Sequence, residues 1–131
     1  MCTVSWQREQ DSYQVWFNRD EQRSRQIATP PAIYSSSQGL KSIYPVDPQG
    51  GGTWFGINEA GLTIGLLNDY QNQTNTKPDD QGEIRSRGLL VKDALETLRV
   101  TSADDHEQWL SAECQQRYYR PFYLFLSLIH I

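Results

Sequence analysis

Apolar and polar positions alternate with period two from the start of the chain. Thr3 to Trp6 reads as a short strand, Gln7 to Ser12 as a polar turn, and Tyr13, Val15 and Phe17 then alternate with Gln14, Trp16 and Asn18. That pattern predicts a hairpin. It ends in a dense polar cluster, Asn18-Arg19-Asp20-Glu21, with Arg23 and Arg25 behind it; taken alone, such a cluster is a solvated strand end whose surface ion pairs contribute little. Thr29 to Ser42 is rich in Pro and Ser and reads mostly as loop. Thr53 to Ile57 and Leu62 to Leu67 form a second hairpin around Asn58-Glu59-Ala60-Gly61, with Gly61 free to take a positive φ.

Asp69 to Glu83 is polar and predicts a long exposed loop of the kind that forms lids or entrance walls. Leu90, Ala94, Leu95 and Leu98 then recur at helical spacing. A second helix is expected to start at Ser102, with Asp104, Asp105 and Glu107 in its first turn and Trp109, Leu110 and Cys114 on its inner face. His106 is expected at the surface of that helix start. Tyr118 to Leu126 is the last strand. Four strands, two helices and one strand, with the strands in antiparallel hairpins, argue for an α+β fold rather than a parallel α/β sheet.

Composition narrows the function classes. With 37% hydrophobic and 21% charged residues, the 131-residue chain belongs among globular proteins with one modest core. The net charge of −4 and the scattered basic residues leave no footprint for nucleic acid. The apolar run Phe122–Ile131 is too short to span a bilayer, so no integral membrane segment is expected. Two cysteines, Cys2 and Cys114, with no secretory signal before them, fit a reducing, cytoplasmic setting. The chain stops inside a strand, which suggests either a truncated domain or last residues, 127–131, that are not native to it.

Few residues carry candidate chemistry. Neither histidine, His106 or His130, has metal-ligand or triad spacing, and Gly50-Gly51-Gly52 lacks the Lys and Ser/Thr of a phosphate-cradling loop. No cofactor is expected. Cys2 is different. Removal of Met1 would make it the N-terminal residue, and its α-amine, titrating near pH 8, could accept the thiol proton directly or through one water. A cysteine at position two is more often a plain packed residue, so the neighbouring motifs decide.

Those motifs resemble a known family. Met1-Cys2-Thr3, the Asn18-Arg19-Asp20-Glu21 tetrad and the run from Tyr44-Pro45-Val46-Asp47 to Gly51-Gly52-Thr53-Trp54 look like the NRDE family, also called the transport and Golgi organisation protein 2 family. The resemblance implies an N-terminal-nucleophile hydrolase-like fold, a four-layer αββα sandwich of which residues 1–131 are the N-terminal part. A more distant likeness runs through Asn58-Glu59-Ala60-Gly61-Leu62 and Gly65-Leu66-Leu67-Asn68 to the choloylglycine hydrolase and penicillin V acylase family. It implies that Asn68 helps to form an oxyanion hole and that Arg19 lies beside the nucleophile.

The physics agrees, since a guanidinium favours a thiolate and a side-chain amide can donate to an oxyanion. The acylases place their catalytic Asp three residues after the Arg, where Gln22 stands here, so the roles of Asp20 and Glu21 stay open. The acylases' second oxyanion Asn and second Arg would fall beyond Ile131. Two functions follow as expectations. One is a cysteine amidohydrolase acting on a non-peptide amide through Cys2, Arg19, Asp20 and Asn68. The other is a non-enzymatic carrier of a hydrophobic ligand such as haem or a lipid, linked to secretory-pathway organisation, with Trp6, Trp16, Trp54 and Phe55 lining its site and Cys2 as a possible iron ligand.

Overall fold

A computed structural model describes residues 2–73, 83–99 and 102–128. The first hairpin is β1 (Thr3–Arg8) and β2 (Tyr13–Asn18), paired in the register Thr3↔Asn18 to Arg8↔Tyr13. A five-stranded antiparallel sheet follows, in the order β3 (Thr29–Ser35), β4 (Lys41–Val46), β5 (Phe55–Asn58), β6 (Leu62–Asn68) and finally β9 (Phe122–Leu128). Between β6 and β9 come β7 (Ile84–Arg85), helices α1 (Arg87–Thr97) and α2 (Ala103–Gln116), and β8 (Tyr118–Tyr119), which pairs in parallel with β7. The class is α+β, as expected.

Alternation in the sheet sorts its residues between two faces. Tyr44, Leu62, Ile64 and Leu66 are buried with Val91, Ala94 and Leu95 of α1 in one core cluster, which Leu124 and Trp109 flank. Burying a side chain of that size contributes about 2 kcal/mol each. Phe55 and Gly65 face the other way, where Phe17 of the first hairpin packs on both, Tyr13 Oη lies 2.5 Å from Thr63 Oγ1, and Trp6 stacks obliquely on Phe125. The described residues thus form three of the four expected layers: helices, five-stranded sheet and hairpin. The hairpin covers the β6–β9 half of this face only. Ile33, Ile43 and Ile57, aligned in register across β3, β4 and β5, stay exposed.

Two polar side chains hold the helices in place. Asn58 Oδ1 accepts from the N–H groups of Ala60 and Leu62, closing the hairpin turn in which Gly61 has a φ of 89°, while Nδ2 donates to the carbonyls of Leu95 and Leu98. One buried amide therefore shapes a turn and satisfies the open carbonyls at the end of α1. Ser102 caps α2 as expected, accepting from Asp105 N at 3.1 Å.

Several expectations are corrected. Thr29–Ser35 is a strand, because Pro30 and Pro31 cost nothing on an edge where the register already shifts between Thr29 and Ala32. The last strand is split, β8 ending before Arg120-Pro121 and β9 starting at Phe122. In α2, His106 is buried and Cys114 exposed, the reverse of the expectation. Glu113 causes this rotation: Arg85, Arg117 and Tyr119 Oη all bond to it, so the polar side chain takes the inward position. The predicted Asp69–Glu83 loop lies largely outside the described residues; within them Asp69 Oδ1 accepts from the N–H groups of Gln71 and Asn72. Among the described residues no helix is long and apolar enough to cross a membrane.

The glycine run before β5 meets α1 at van der Waals distance. Thr53 N donates to Gly88 O at 3.0 Å, and a Cβ on Gly52 would lie 2.2 Å from the Gly88 carbonyl carbon. A Cβ on Gly88 would approach Thr53 O no closer than 3.1 Å, and alanine suits a helix better than glycine. Gly52→Ala should therefore cost at least about 2 kcal/mol in urea denaturation through overpacking, and Gly88→Ala under about 1. Equal effects would mean that this approach does not limit the fold.

Candidate functional site

Hairpin geometry explains the spacing of Cys2 and Arg19. Because Thr3 pairs with Asn18, the residues just beyond that pair emerge together at one end of the hairpin. The end points into a cavity of about 360 Å³, whose walls include Cys2, Arg19, Trp54 and Asn68. Three of the four residues expected to form the site therefore meet there. The fourth, Asp20, is not part of the wall; its backbone carbonyl accepts from Cys2 Sγ at 3.7 Å, and Glu21 is the acid that lines the cavity. Asn68, at the end of β6, donates from Nδ2 to Tyr70 Oη at 2.8 Å.

Opposite charges build one wall. Arg25 donates to Asp47 Oδ2 through both Nε, at 3.1 Å, and Nη2. Arg19 Nη2 lies 3.9 Å from the same oxygen and 3.5 Å from Glu21 Oε2, and its guanidinium stacks 4.1 Å over the Trp54 ring. A cation on an indole face is held in orientation as well as attracted. Asp47 in turn organises the glycine run: Oδ1 accepts from Gln49 N, and the backbone exchanges bonds with Gly51 and Gly52. Burial pushes the Asp47 carboxyl up, but the Arg25 hydrogen bond and charge, with Gln49 N–H and Arg19, outweigh it and hold the group below the usual carboxylate range.

The opposite wall comes from later in the chain. Ser86, Arg87 and Gly88 bring the N-terminus of α1 to the cavity, and Arg120, from the segment before β9, joins them. None of these, nor Arg25, was marked from sequence as part of the site. Asp47 was marked only as part of a family motif. Of the four aromatic residues expected around a ligand, only Trp54 lines this cavity; Trp6 and Trp16 are 62% and 50% exposed, and Phe55 packs on Phe17. Among the described residues no group of three or more His, Cys, Asp or Glu side chains is placed to hold a metal ion.

The Asp47 cluster predicts an acid response with a definite sign. A carboxyl depressed in the fold contributes stability above its unfolded value of about 3.9, and loses it as pH falls through the lower folded value. Asp47→Asn should then lower Tm at pH 7, and the gap to the parent chain should close as acid is added below about pH 4. Circular dichroism melts showing a gap independent of pH would remove the arginines as the cause of the depression.

Comparison with protein-family models matches residues 1–130 to the family described as Transport and Golgi organisation 2. No curated protein and no solved structure matches the chain.

Proposed function

The chain belongs to the transport and Golgi organisation 2 family, and from that premise we propose that its cavity is the site of a cysteine amidohydrolase acting on a small, non-peptide amide. The observation that supports this reading is the meeting of the Cys2 thiol, the Arg19 guanidinium and the Asn68 carboxamide around one cavity, from segments far apart in sequence. With Met1 removed, the α-amine of Cys2 takes the thiol proton, and the sulfur attacks the amide carbonyl carbon. The carbonyl oxygen gains negative charge as the S–C bond forms. Asn68 Nδ2 carries two hydrogens, of which one is bonded to Tyr70, so the other remains to donate to that oxygen.

Collapse of the tetrahedral intermediate breaks the C–N bond, and the α-ammonium returns its proton to the leaving amine. Water, deprotonated by the same α-amine, then cleaves the thioester and restores the thiol. Arg19, fixed on Trp54 and between Glu21 and Asp47, is a rigid positive charge at the mouth of the hairpin. The polar lining favours this chemistry over carriage of an apolar macrocycle such as haem, which would need apolar walls. Trp6, Trp16 and Phe55 do not supply them here.

Intact-mass analysis should show loss of Met1, and a screen of acyl amides should give turnover that Cys2→Ala abolishes. Asn68→Ala should reduce kcat by about 10²- to 10³-fold, the usual cost of one oxyanion donor. Cys114→Ser should leave turnover unchanged, because that thiol lies on the outer face of α2, where partial burial and then Glu113 raise its pKa. Turnover indifferent to Cys2→Ala would sink the reading.

A further inference from the structure

Among the described residues the cavity walls hold four arginines but only two carboxylates, Glu21 and Asp47. Those two acids are engaged by Arg19 and Arg25. Arg87 and Arg120 have no carboxylate within ion-pair distance among the described residues. Arg87 spends one Nη1 hydrogen on the Pro121 carbonyl at 2.8 Å, and the Tyr70 ring lies 5.9 Å from its guanidinium. A guanidinium has five N–H donors, so most of its capacity is unspent. Arg120 goes further: its Nε is buried and makes no hydrogen bond to the described residues.

A buried donor without an acceptor is costly, and two neighbouring cations repel one another. Burial is the first cause that holds the Arg87 guanidinium below its ordinary value and the Arg120 charge adds to it, while Tyr70 and Glu21 act in the opposite sense. Helix α1 compounds the excess. Its positive end opens on the same wall, with no acid in the first turn and no bond from the Ser86 side chain to cap it.

We propose that Arg87 and Arg120 form an anion subsite, which binds a carboxylate or phosphate group carried by the same ligand whose amide lies against Cys2. The assignment rests on the amidohydrolase reading for the amide and narrows the substrate class to amides that bear an oxyanion. The planar guanidinium of Arg120, on the cavity wall, offers its terminal N–H groups to the oxygens of such a group, and Arg87 adds a second set of donors. Arg19 and Arg25, already paired with acids, are left to position the reacting end.

Three probes test this by calorimetry on the whole chain: N-octanoylglycine, its neutral carboxamide N-octanoylglycinamide, and octyl phosphate. At least one anion should bind about tenfold more tightly than the neutral amide, the yield of one charge-assisted pair. Arg120→Gln breaks no hydrogen bond within the described residues and should not lower the melting temperature. It should abolish most of that preference and leave the neutral amide's affinity unchanged; Arg87→Gln should reduce the preference likewise, with the loss of its Pro121 hydrogen bond as well.

Whichever anion loses more affinity in Arg120→Gln identifies the group as carboxylate or phosphate. Equal affinities for all three probes, or a preference that survives both substitutions, would overturn the subsite. The two readings also fail separately. Anion preference without turnover would remove the hydrolase and keep the subsite, whereas equal kcat/KM for charged and neutral amides would do the opposite.

Discussion

Everything around the cavity depends on how closely the backbone at Gly52 approaches Gly88. A single Cβ on the first glycine would overlap the second residue's carbonyl group, and the hydrogen bond from Thr53 N to Gly88 O exists only at this separation. The contact joins the start of α1 to the entry of β5, so the helix cannot shift outward without losing the bond. The packing of Val91, Ala94 and Leu95 into the sheet follows from that fixed end. So does the position of Arg87, which immediately precedes Gly88. The far end of α1 is tied to the sheet separately by Asn58.

Asp47 links this scaffold to the hairpin. Its carboxylate is shared by Arg25 and Arg19, and its backbone carries the turn that delivers Gly52 to the helix. The ion cluster thus couples the hairpin end, where Cys2 stands, to the glycine run that supports the opposite wall. Its strength comes from partial burial and from two Arg25 donors converging on one Asp47 oxygen rather than from the number of charges, since exposed pairs of the same composition contribute little. What the sequence shows as a solvated cluster, Asn18 to Glu21, becomes a structural joint because Asp47 folds onto it.

Local patterns were legible where one element dictates its own form. Period two in Tyr13 to Asn18, the Asn58–Gly61 turn, the Leu90–Leu98 spacing and the Ser102 cap all correspond to elements in the structure. Failures fell where tertiary context decides. Pro30 and Pro31 are loop formers anywhere except on a sheet edge, and nothing local marks β3 as an edge. His106 and Cys114 exchanged faces because Glu113 is held inward by partners from β7 and β8 as well as from its own helix. Cys2, Arg19 and Asn68 could be read through motifs, whereas Arg25, Arg87 and Arg120 come together only through the fold, and no spacing announces it.

The first hairpin pairs only with itself among the described residues and rests on the sheet through Tyr13, Phe17 and Trp6. A two-stranded ribbon on so small a footing opens at lower free energy than the five-stranded sheet beneath it. Cys2 and Arg19 both ride on that ribbon. The closed arrangement of the cavity therefore has its own, smaller opening free energy, and amide hydrogens of β1 and β2 exchange before those of β5 and β6. A ligand bridging Cys2 and the α1 wall would hold the ribbon down, so occupancy of the site and closure of the hairpin are one linked equilibrium.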